Sequence, residues 1–199
     1  MAEGIFQSTP DGHFLTSNPT LARILGYESP ADLLQNLTDI ERQLYVEPEQ
    51  RAEFKRQLEA SDVVQGIETH VYRKDGSKIW LSANARCVCD EQGKVLYYEG
   101  IVQDISERKR AERRLAAQHA VTRVLAEFET LSEASPKILQ AICECLDWQV
   151  GAIWNVDRSA NVLRCVEFWH APSIQVVEFE SITRSFIFET GIGLPGRVW

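Results

Sequence analysis

The chain has 199 residues, of which 44% are hydrophobic and 25% are charged, and these are the proportions of a folded globular protein. Its 29 acidic and 21 basic residues give a formal net charge of -8, which argues against nucleic acid as the main partner because phosphate binding needs a concentrated basic face. No apolar run approaches the roughly 20 residues that span a bilayer, and the N-terminus shows no secretion signal. The five cysteines form no dense framework, so we expect a cytoplasmic location.

Residues 4–106 are predicted to form one α+β unit. Two short β-prone runs, at 5–9 and 13–16, are separated by a Pro-Asp-Gly turn. Helices are then predicted after three pairs of a capping residue and a proline, which are Asn18-Pro19, Ser29-Pro30 and Glu47-Pro48. Asp32 is placed to complete a capping box in the second of these helices.

The helix over 48–60 is strongly polar, with Phe54 and Leu58 as its apolar anchor four residues apart, and is predicted to lie on the surface. Three longer strands follow over 67–73, 78–89 and 94–105, with Gly-containing hairpin turns between them.

In the middle strand, the period of two predicts an apolar face and a mixed face. The apolar face carries Ile79, Leu81, Ala83, Ala85, Cys87 and Cys89. The mixed face, which suits solvent or a docking helix, carries Trp80, Ser82, Asn84 and Arg86. Two strands, several helices and three meandering strands together predict a five-stranded antiparallel sheet with helices packed on one side.

A long helix is predicted to begin in the polar run 106–114, and its later part carries an apolar seam. The seam residues, at spacings of four and three, are Ala117, Val121, Val124, Phe128 and Leu131. The pattern is consistent with a parallel homodimer through a coiled coil, and equally with one amphipathic helix that lies on its own domain. The basic residues of 108–114 are interleaved with Glu107 and Glu112, which favours a solvated helix face over a nucleic-acid site.

The last part of the chain is predicted to be a second α+β region. Ser135-Pro136 is expected to restart a helix that runs to about residue 146. Strands are predicted over 150–156 and 162–169, and a glycine-rich segment at 191–199 follows a less regular stretch.

Several segments carry a resemblance to known families. The peptide Glu-Gly-Ile-Phe-Gln-Ser-Thr-Pro-Asp-Gly at 3–12, with Asn18-Pro19 and Leu-Gly-Tyr at 25–27, resembles the opening of a PAS domain. The peptides Tyr-Arg-Lys-Asp-Gly-Ser at 72–77 and Gly-Ile-Val-Gln-Asp-Ile-Ser-Glu-Arg-Lys at 100–109 resemble its C-terminal, PAC-type motif.

The stretch 115–199 is similar to the N-terminal part of a GAF domain, on the strength of Val-Gly-Ala-Ile-Trp at 150–154 and the closing Gly-Leu-Pro-Gly-Arg-Val-Trp. In this order the pair resembles the input half of bacterial sensor histidine kinases. The resemblance implies a PAS sensor domain over 1–106, a linker helix over 107–132 and a truncated GAF domain over 133–199.

Histidine chemistry is not expected in this chain. His119 lies on the linker helix, but no acidic residue follows it as in the phosphoacceptor motif of the resembled kinases. Haem-binding PAS domains place an axial histidine on the helix before the third strand, and the corresponding segment 48–60 contains none. His13 and His70 fall on predicted strands and are expected to be surface residues.

Cysteine chemistry is not expected either. Flavin photoreceptors of the PAS superfamily need a cysteine in the helical region, and 18–60 has none. A bilin would attach in the part of the GAF domain that the chain does not include. Cys87 and Cys89 lie on the same face of one strand, but a tetrahedral zinc site requires four ligands, and this pair supplies two. No Walker loop or nucleophile elbow is present, so we predict no cofactor, no metal and no catalytic centre.

The PAS resemblance implies a pocket between the sheet and its helices. Its expected wall residues are Phe6, Leu21, Leu25, Leu81, Ala83, Ala85 and Ile101. A ligand or helix side chains can occupy this space, and the filled core is favoured. The last strand is expected to carry a stimulus into the long helix through a relay segment formed by Asp104, Ile105, Ser106, Glu107 and Arg108, in which Asp104 and Arg108 pair as a hinge.

The resulting prediction is a sensory input and signal-relay fragment, with a two-component sensor histidine kinase as the favoured parent. The input region of a cyclic-dinucleotide synthase or hydrolase and a ligand-free dimerisation scaffold are the alternatives. The expected partners are a second copy of the chain, a downstream output domain and a small-molecule ligand, and no nucleic acid.

Overall fold

The structure is a computed structural model that describes residues 3–199. It contains two compact units, one that ends at Lys109 and one that comprises Arg110–Trp199. The division falls within a long helix, so the residues predicted as a separate linker belong in part to each unit. None of the helices formed by residues 3–199 is both long and apolar enough to cross a membrane.

The first unit is built on one five-stranded sheet. Its elements are β1 (Glu3–Ser8), β2 (Phe14–Ser17), α1 (Pro19–Ile24), α2 (Pro30–Asn36), α3 (Ile40–Gln43), α4 (Glu49–Ser61), β3 (Val63–Tyr72), β4 (Lys78–Cys89), β5 (Val95–Asp104) and the start of α5 (Ser106–Glu127). The strand order is β2-β1-β5-β4-β3, and every neighbouring pair is antiparallel. The predicted α+β class and five-stranded antiparallel sheet are confirmed.

Local capping explains where the first two helices begin. Asn18 accepts a hydrogen bond from the backbone N–H of Leu21 at 2.8 Å, and a proline follows at the first helical position. Ser29 accepts in the same way from the N–H of Asp32 at 3.1 Å. The Asp32 carboxylate accepts from Glu28 N–H at 2.9 Å, one residue before the cap, so the predicted capping box is shifted by one position.

The hydrophobic core lies between one face of the sheet and helices α1–α4. Along β4, Ile79, Leu81, Ala83 and Ala85 are all buried, as the period of two predicts. The largest fully buried side chains of this core are Tyr98, Leu21, Leu25, Leu33, Ile40, Leu58 and Val71. At Gly100 a Cβ atom would lie 2.3 Å from the carbonyl oxygen of Asn84, so glycine is required where β5 passes β4.

The second unit contains the rest of α5 and a smaller sheet. Its other elements are α6 (Leu131–Leu146), β6 (Val150–Asp157), β7 (Val162–His170), α7 (Val177–Ser185), β8 (Ile187–Phe188) and α8 (Gly193–Val198). The antiparallel sheet has the order β6-β7-β8.

The start of α6 differs from the prediction. The helix begins at Leu131, because Thr130 caps it by accepting from Glu133 N–H at 3.3 Å. Pro136 lies inside the helix rather than at its first position. The helix start predicted from Ser135-Pro136 was therefore wrong. A proline within the first turns of a helix gives the same sequence signal as a proline at the first position.

Candidate functional site

A small cavity lies between the sheet and the helices of the first unit. This core cavity measures about 40 Å³ and has a mostly apolar wall. Its wall residues are Phe6, Ser8, Phe14, Leu21, Leu25, Ile40, Leu44, Tyr45, Arg51, Phe54, Thr69, Val71, Leu81, Ala83 and Val102. Five of the seven expected wall residues, Phe6, Leu21, Leu25, Leu81 and Ala83, are thus placed on one cavity.

Two of the expected wall residues lie elsewhere. Ala85 is buried in the core but is not part of the cavity wall. Ile101 lies on the opposite face of the sheet, because Tyr98 and Val102 are the buried residues of β5 and Ile101 is out of phase with them. Ile101 pairs with the exposed Ile5 across the strands, so its assignment to the pocket wall was wrong.

The polar part of the cavity wall centres on Arg51. Its side chain is only 3% exposed, and its guanidinium carbon lies 5.6 Å from the ring centroids of both Phe54 and Tyr98. The Nε and Nη2 atoms of Arg51 are buried and have no hydrogen-bond partner among residues 3–199. Burial raises the pKa of the neighbouring Tyr45 phenol, and the Arg51 charge opposes that rise.

Other polar groups surround this arginine. Ser8 is fully buried on the cavity wall, and its hydroxyl also has no hydrogen-bond partner in the described part of the chain. Thr69 donates to the side-chain oxygen of Gln50. The Tyr98 hydroxyl donates to Glu59, and burial raises the pKa of Tyr98, so this phenol is neutral at physiological pH.

Arg51 was missed from the sequence, although a signal for it exists. The helix over 48–60 was assigned to the surface with Phe54 and Leu58 as its anchor. Arg51 precedes those residues by three and seven positions, which places all three on one helix face. A charged residue in phase with a buried apolar stripe indicates a buried charge, and all three side chains are buried in the structure.

The relay segment lies where β5 passes into α5. Asp104 accepts from the backbone N–H of Ser106 at 2.9 Å through one carboxylate oxygen. Its other oxygen accepts from Arg73, the residue that follows β3, at 3.0 Å. Asp104 therefore caps the first turn of α5 and ties it to the β3–β4 hairpin.

The start of α5 is also held by β4. The Ile105 N–H donates to the carbonyl of Trp80 at 2.9 Å, and the Trp80 N–H donates to the Ser106 hydroxyl at 3.0 Å. Ile105 and Ser106 are both buried, whereas Glu107 is exposed in the first turn. Ile105, through its backbone, and Ser106, through its hydroxyl, therefore attach the start of α5 to β4.

A third tether joins the first turn of α5 to β3. Glu68 accepts from Arg108 at 2.6 Å and also pairs with Lys109, whose ammonium lies 5.2 Å from the centroid of a Trp80 ring. Hydrogen bonds from Lys109 and then Arg108 lower the pKa of the Glu68 carboxyl. Among the described residues, Asp104 pairs with Arg73 and Arg108 pairs with Glu68, whereas the predicted hinge joined Asp104 to Arg108.

The predicted seam extends past the end of α5, since Phe128 follows that helix and Leu131 is the first residue of α6. Its residues are in part buried within a single chain. Ala117 and Val124 are buried inside the second unit, whereas Leu131 is 68% exposed. The homodimer through this seam stays a prediction.

The residues weighed for cofactor and metal chemistry are dispersed. His13 pairs with Asp11, His70 stacks on Trp80 and His119 is exposed. Burial raises the pKa of the Cys87 thiol to about 11, so it is protonated at neutral pH. Within residues 3–199, no three His, Cys, Asp or Glu side chains converge as a metal site.

Comparisons with known proteins identify the first unit. A family model described as PAS domain matches residues 2–107. A curated relative, sensor histidine kinase TmoS of Ectopseudomonas mendocina, is 22% identical over 175 residues, a region that covers 83% of this chain and 18% of that protein. The chain therefore spans less than a fifth of that relative's length.

Two of the solved structures that are similar to this chain are bacterial proteins. A sensory box histidine kinase/response regulator from Burkholderia thailandensis is 23% identical, with a TM-score of 0.48 and coverage of 62% of this chain and 92% of that one. The N-terminal domain of a diguanylate cyclase with PAS/PAC sensor from Marinobacter aquaeolei is 18% identical, with a TM-score of 0.44 and coverage of 54% and 98%.

Proposed function

This chain belongs to the PAS domain family, and from that premise we propose that it is the sensory input and signal-relay part of a multidomain protein, a sensor histidine kinase. The observation that carries the proposal is the junction of β5 and α5. Asp104 there holds both the first turn of the helix and the end of β3. A shift of the sheet therefore moves the helix start with it, which a passive linker would not require.

The relay acts through two arrangements of these tethers. A stimulus that binds one arrangement of the sheet more tightly than the other shifts the population toward it. The three attachments of the α5 start, to Arg73, Trp80 and Glu68, report such a shift from both β3 and β4. The proposal assigns the closing Asp-Ile-Ser-Glu-Arg sequence to this junction, as a PAC-type motif.

The remaining assignments follow the same proposal. The second unit is the beginning of a GAF domain, which its helix α6, strands β6 and β7 and closing glycine-rich segment support. The seam of α5 aligns two copies in parallel, with a downstream output domain in each. The cytoplasmic location stays a prediction.

The kinase assignment rests on the similarity to the curated histidine kinase, and it is tested on the gene product that contains this chain. The purified protein is incubated with labelled ATP, and acid-labile phosphohistidine is measured. Synthesis of a cyclic dinucleotide from GTP and hydrolysis of added cyclic dinucleotide are assayed in parallel. Phosphohistidine is the expected result. Cyclic-dinucleotide synthesis or hydrolysis without phosphohistidine would assign the same input region to the other enzyme class. No activity in any of these assays would favour the scaffold.

A further inference from the structure

The core cavity contains a positive charge that no other described residue neutralises. Arg51 is 3% exposed, and no ion pair joins it to any carboxylate in the part of the chain that the structure describes. Its Nε and Nη2 groups are buried, and no described residue accepts a hydrogen bond from them. A buried charge in this condition strongly disfavours the folded state unless a counter-ion or another polar group is supplied.

The aromatic rings beside Arg51 compensate it only in part. The guanidinium carbon lies 5.6 Å from the centroids of Phe54 and Tyr98, which is a cation–π distance. Ring faces stabilise the charge but accept no N–H hydrogen bond along the plane of the guanidinium. The N–H groups at Nε and Nη2 therefore need a hydrogen-bond acceptor other than these rings.

The identity of the two donors indicates the shape of the missing group. Nε and Nη2 lie on the same edge of the planar guanidinium, and their N–H bonds are nearly parallel. This edge matches the two oxygens of one carboxylate in a bidentate pair.

The cavity limits the size and polarity of such a group. About 40 Å³ is the space of about three water molecules, and so of an anion with about three or four heavy atoms. Most of the wall is apolar, including Leu21, Leu25 and Val102, which suits a short hydrocarbon tail. The unpartnered hydroxyl of Ser8 supplies one more polar group on the same wall.

We propose that the core cavity binds a short monocarboxylate of the size of formate or acetate, whose two oxygens accept hydrogen bonds from Nε and Nη2 of Arg51. The proposal rests on the sensory function above and names the chemical class of its stimulus. Ser8 lies on β1, directly opposite Tyr98 of β5. Occupation of the cavity thus acts on the strand that ends in the relay segment.

The test is a titration of the 199-residue chain with sodium acetate at constant ionic strength, balanced with sodium chloride. The two readouts are the melting temperature and the NMR resonance of the Arg51 Nε–H group. Acetate and formate are expected to raise the melting temperature and to shift that resonance with one common dissociation constant. Acetamide, which has nearly the same shape but no charge, is expected to do neither.

Substitutions distinguish acetate binding in the core cavity from acetate binding at the protein surface. Arg51→Met should abolish the acetate response, and Arg51→Lys should weaken acetate binding at least about ten-fold, because lysine lacks the bidentate edge. Arg56→Met is the matched control, since Arg56 lies on the same helix with a 76% exposed side chain, and it should titrate as wild type. If Arg51→Met does not fold, the Nε–H titration with acetate and acetamide decides alone.

Three results would overturn the proposal: an equal acetate response in wild type and Arg51→Met, an equal effect of acetamide, or an Nε–H resonance that acetate leaves unmoved. The last result would mean that water satisfies Arg51. Binding of acetate without any effect on the output of the gene product would keep the site and count against the sensory function. Output control through the relay segment without acetate binding would support the sensory function and reject the acetate site.

Discussion

The burial of Leu25 indicates how tightly side chains fill the core of the first unit. It is 0% exposed and lies on the wall of a cavity of only about 40 Å³, so most of the space between sheet and helices is occupied by side chains. Leu25→Ala should lower the free energy of unfolding by about 2–5 kcal/mol, because it removes buried methyl groups and leaves a void. Urea denaturation measures this loss.

Leu15→Ala provides the control, since Leu15 is 45% exposed on β2. It should cost less than about 1 kcal/mol, as substitutions away from the core generally do. Equal losses for the two variants would mean that Leu25 is not packed as described.

For single residues, the sequence correctly predicted which side chains are buried wherever the period of one strand or helix dominated the pattern. The alternation of β4 correctly predicted that Leu81 and Ala83 face the core. Ile101 was misplaced because β5 is apolar at Val102 as well, so hydrophobicity alone did not set the phase of the strand. Arg51 was missed because a charge on a polar helix is normally a surface charge, and only its phase with Phe54 distinguishes it.

The N-terminus of α6 is set by a single hydroxyl. Thr130 accepts from the N–H of Glu133, whereas Ser135 lies inside the helix and donates to the carbonyl of Leu131. Thr130→Ala should therefore lower the free energy of unfolding of the second unit by about 1 kcal/mol, and Ser135→Ala by clearly less. Thermal denaturation followed by circular dichroism compares the two variants. A larger loss for Ser135→Ala would place the helix start at Pro136.

The tether between α5 and β3 depends on pH. Lys109 and Arg108 lower the pKa of Glu68 in the folded chain below its ordinary value of 4.5. A lowered folded pKa means that Glu68 stabilises the fold above about pH 4.5 and that this contribution is lost as the pH falls through the lower, folded value.

Glu68→Gln should therefore be less stable than wild type at neutral pH, and the difference should shrink as the pH falls below 4.5. Urea denaturation from pH 7 to pH 3 measures it, and Glu41→Gln, at an exposed position on α3, is the control. A difference between Glu68→Gln and wild type that stays constant over this range would contradict the tether.

For the whole molecule, the order of elements was predictable and some of their pairings were not. Proline-led helix starts and glycine turns give the local pattern, and an alternating strand pattern then determines an antiparallel sheet. β8 and α7 were not predicted, because a two-residue strand and an irregular stretch carry no periodic signal of their own. The sequence predicted a pair between Asp104 and Arg108, which are four residues apart. The partners that the structure shows, Arg73 for Asp104 and Glu68 for Arg108, are distant in sequence and carry no local signal.

The chain divides into its two units inside α5, close to the proposed relay segment. The first unit ends at Lys109, just after the turn that Asp104, Trp80 and Glu68 hold. One continuous helix carries the chain from there into the second unit. We propose that a change in how the first turn is held is passed on along α5.

The most direct test of that claim compares the autophosphorylation rate of the gene product that contains this chain in three forms: wild type, Asp104→Ala and the exposed control Asp11→Ala. Asp104→Ala removes both the cap on Ser106 and the pair with Arg73, and should cost about 0.5–2 kcal/mol of stability without unfolding the domain. Coupling of 0.5–2 kcal/mol predicts a rate changed by roughly 2- to 30-fold in Asp104→Ala, with Asp11→Ala at the wild-type rate. A folded Asp104→Ala protein with an unaltered rate would contradict the relay.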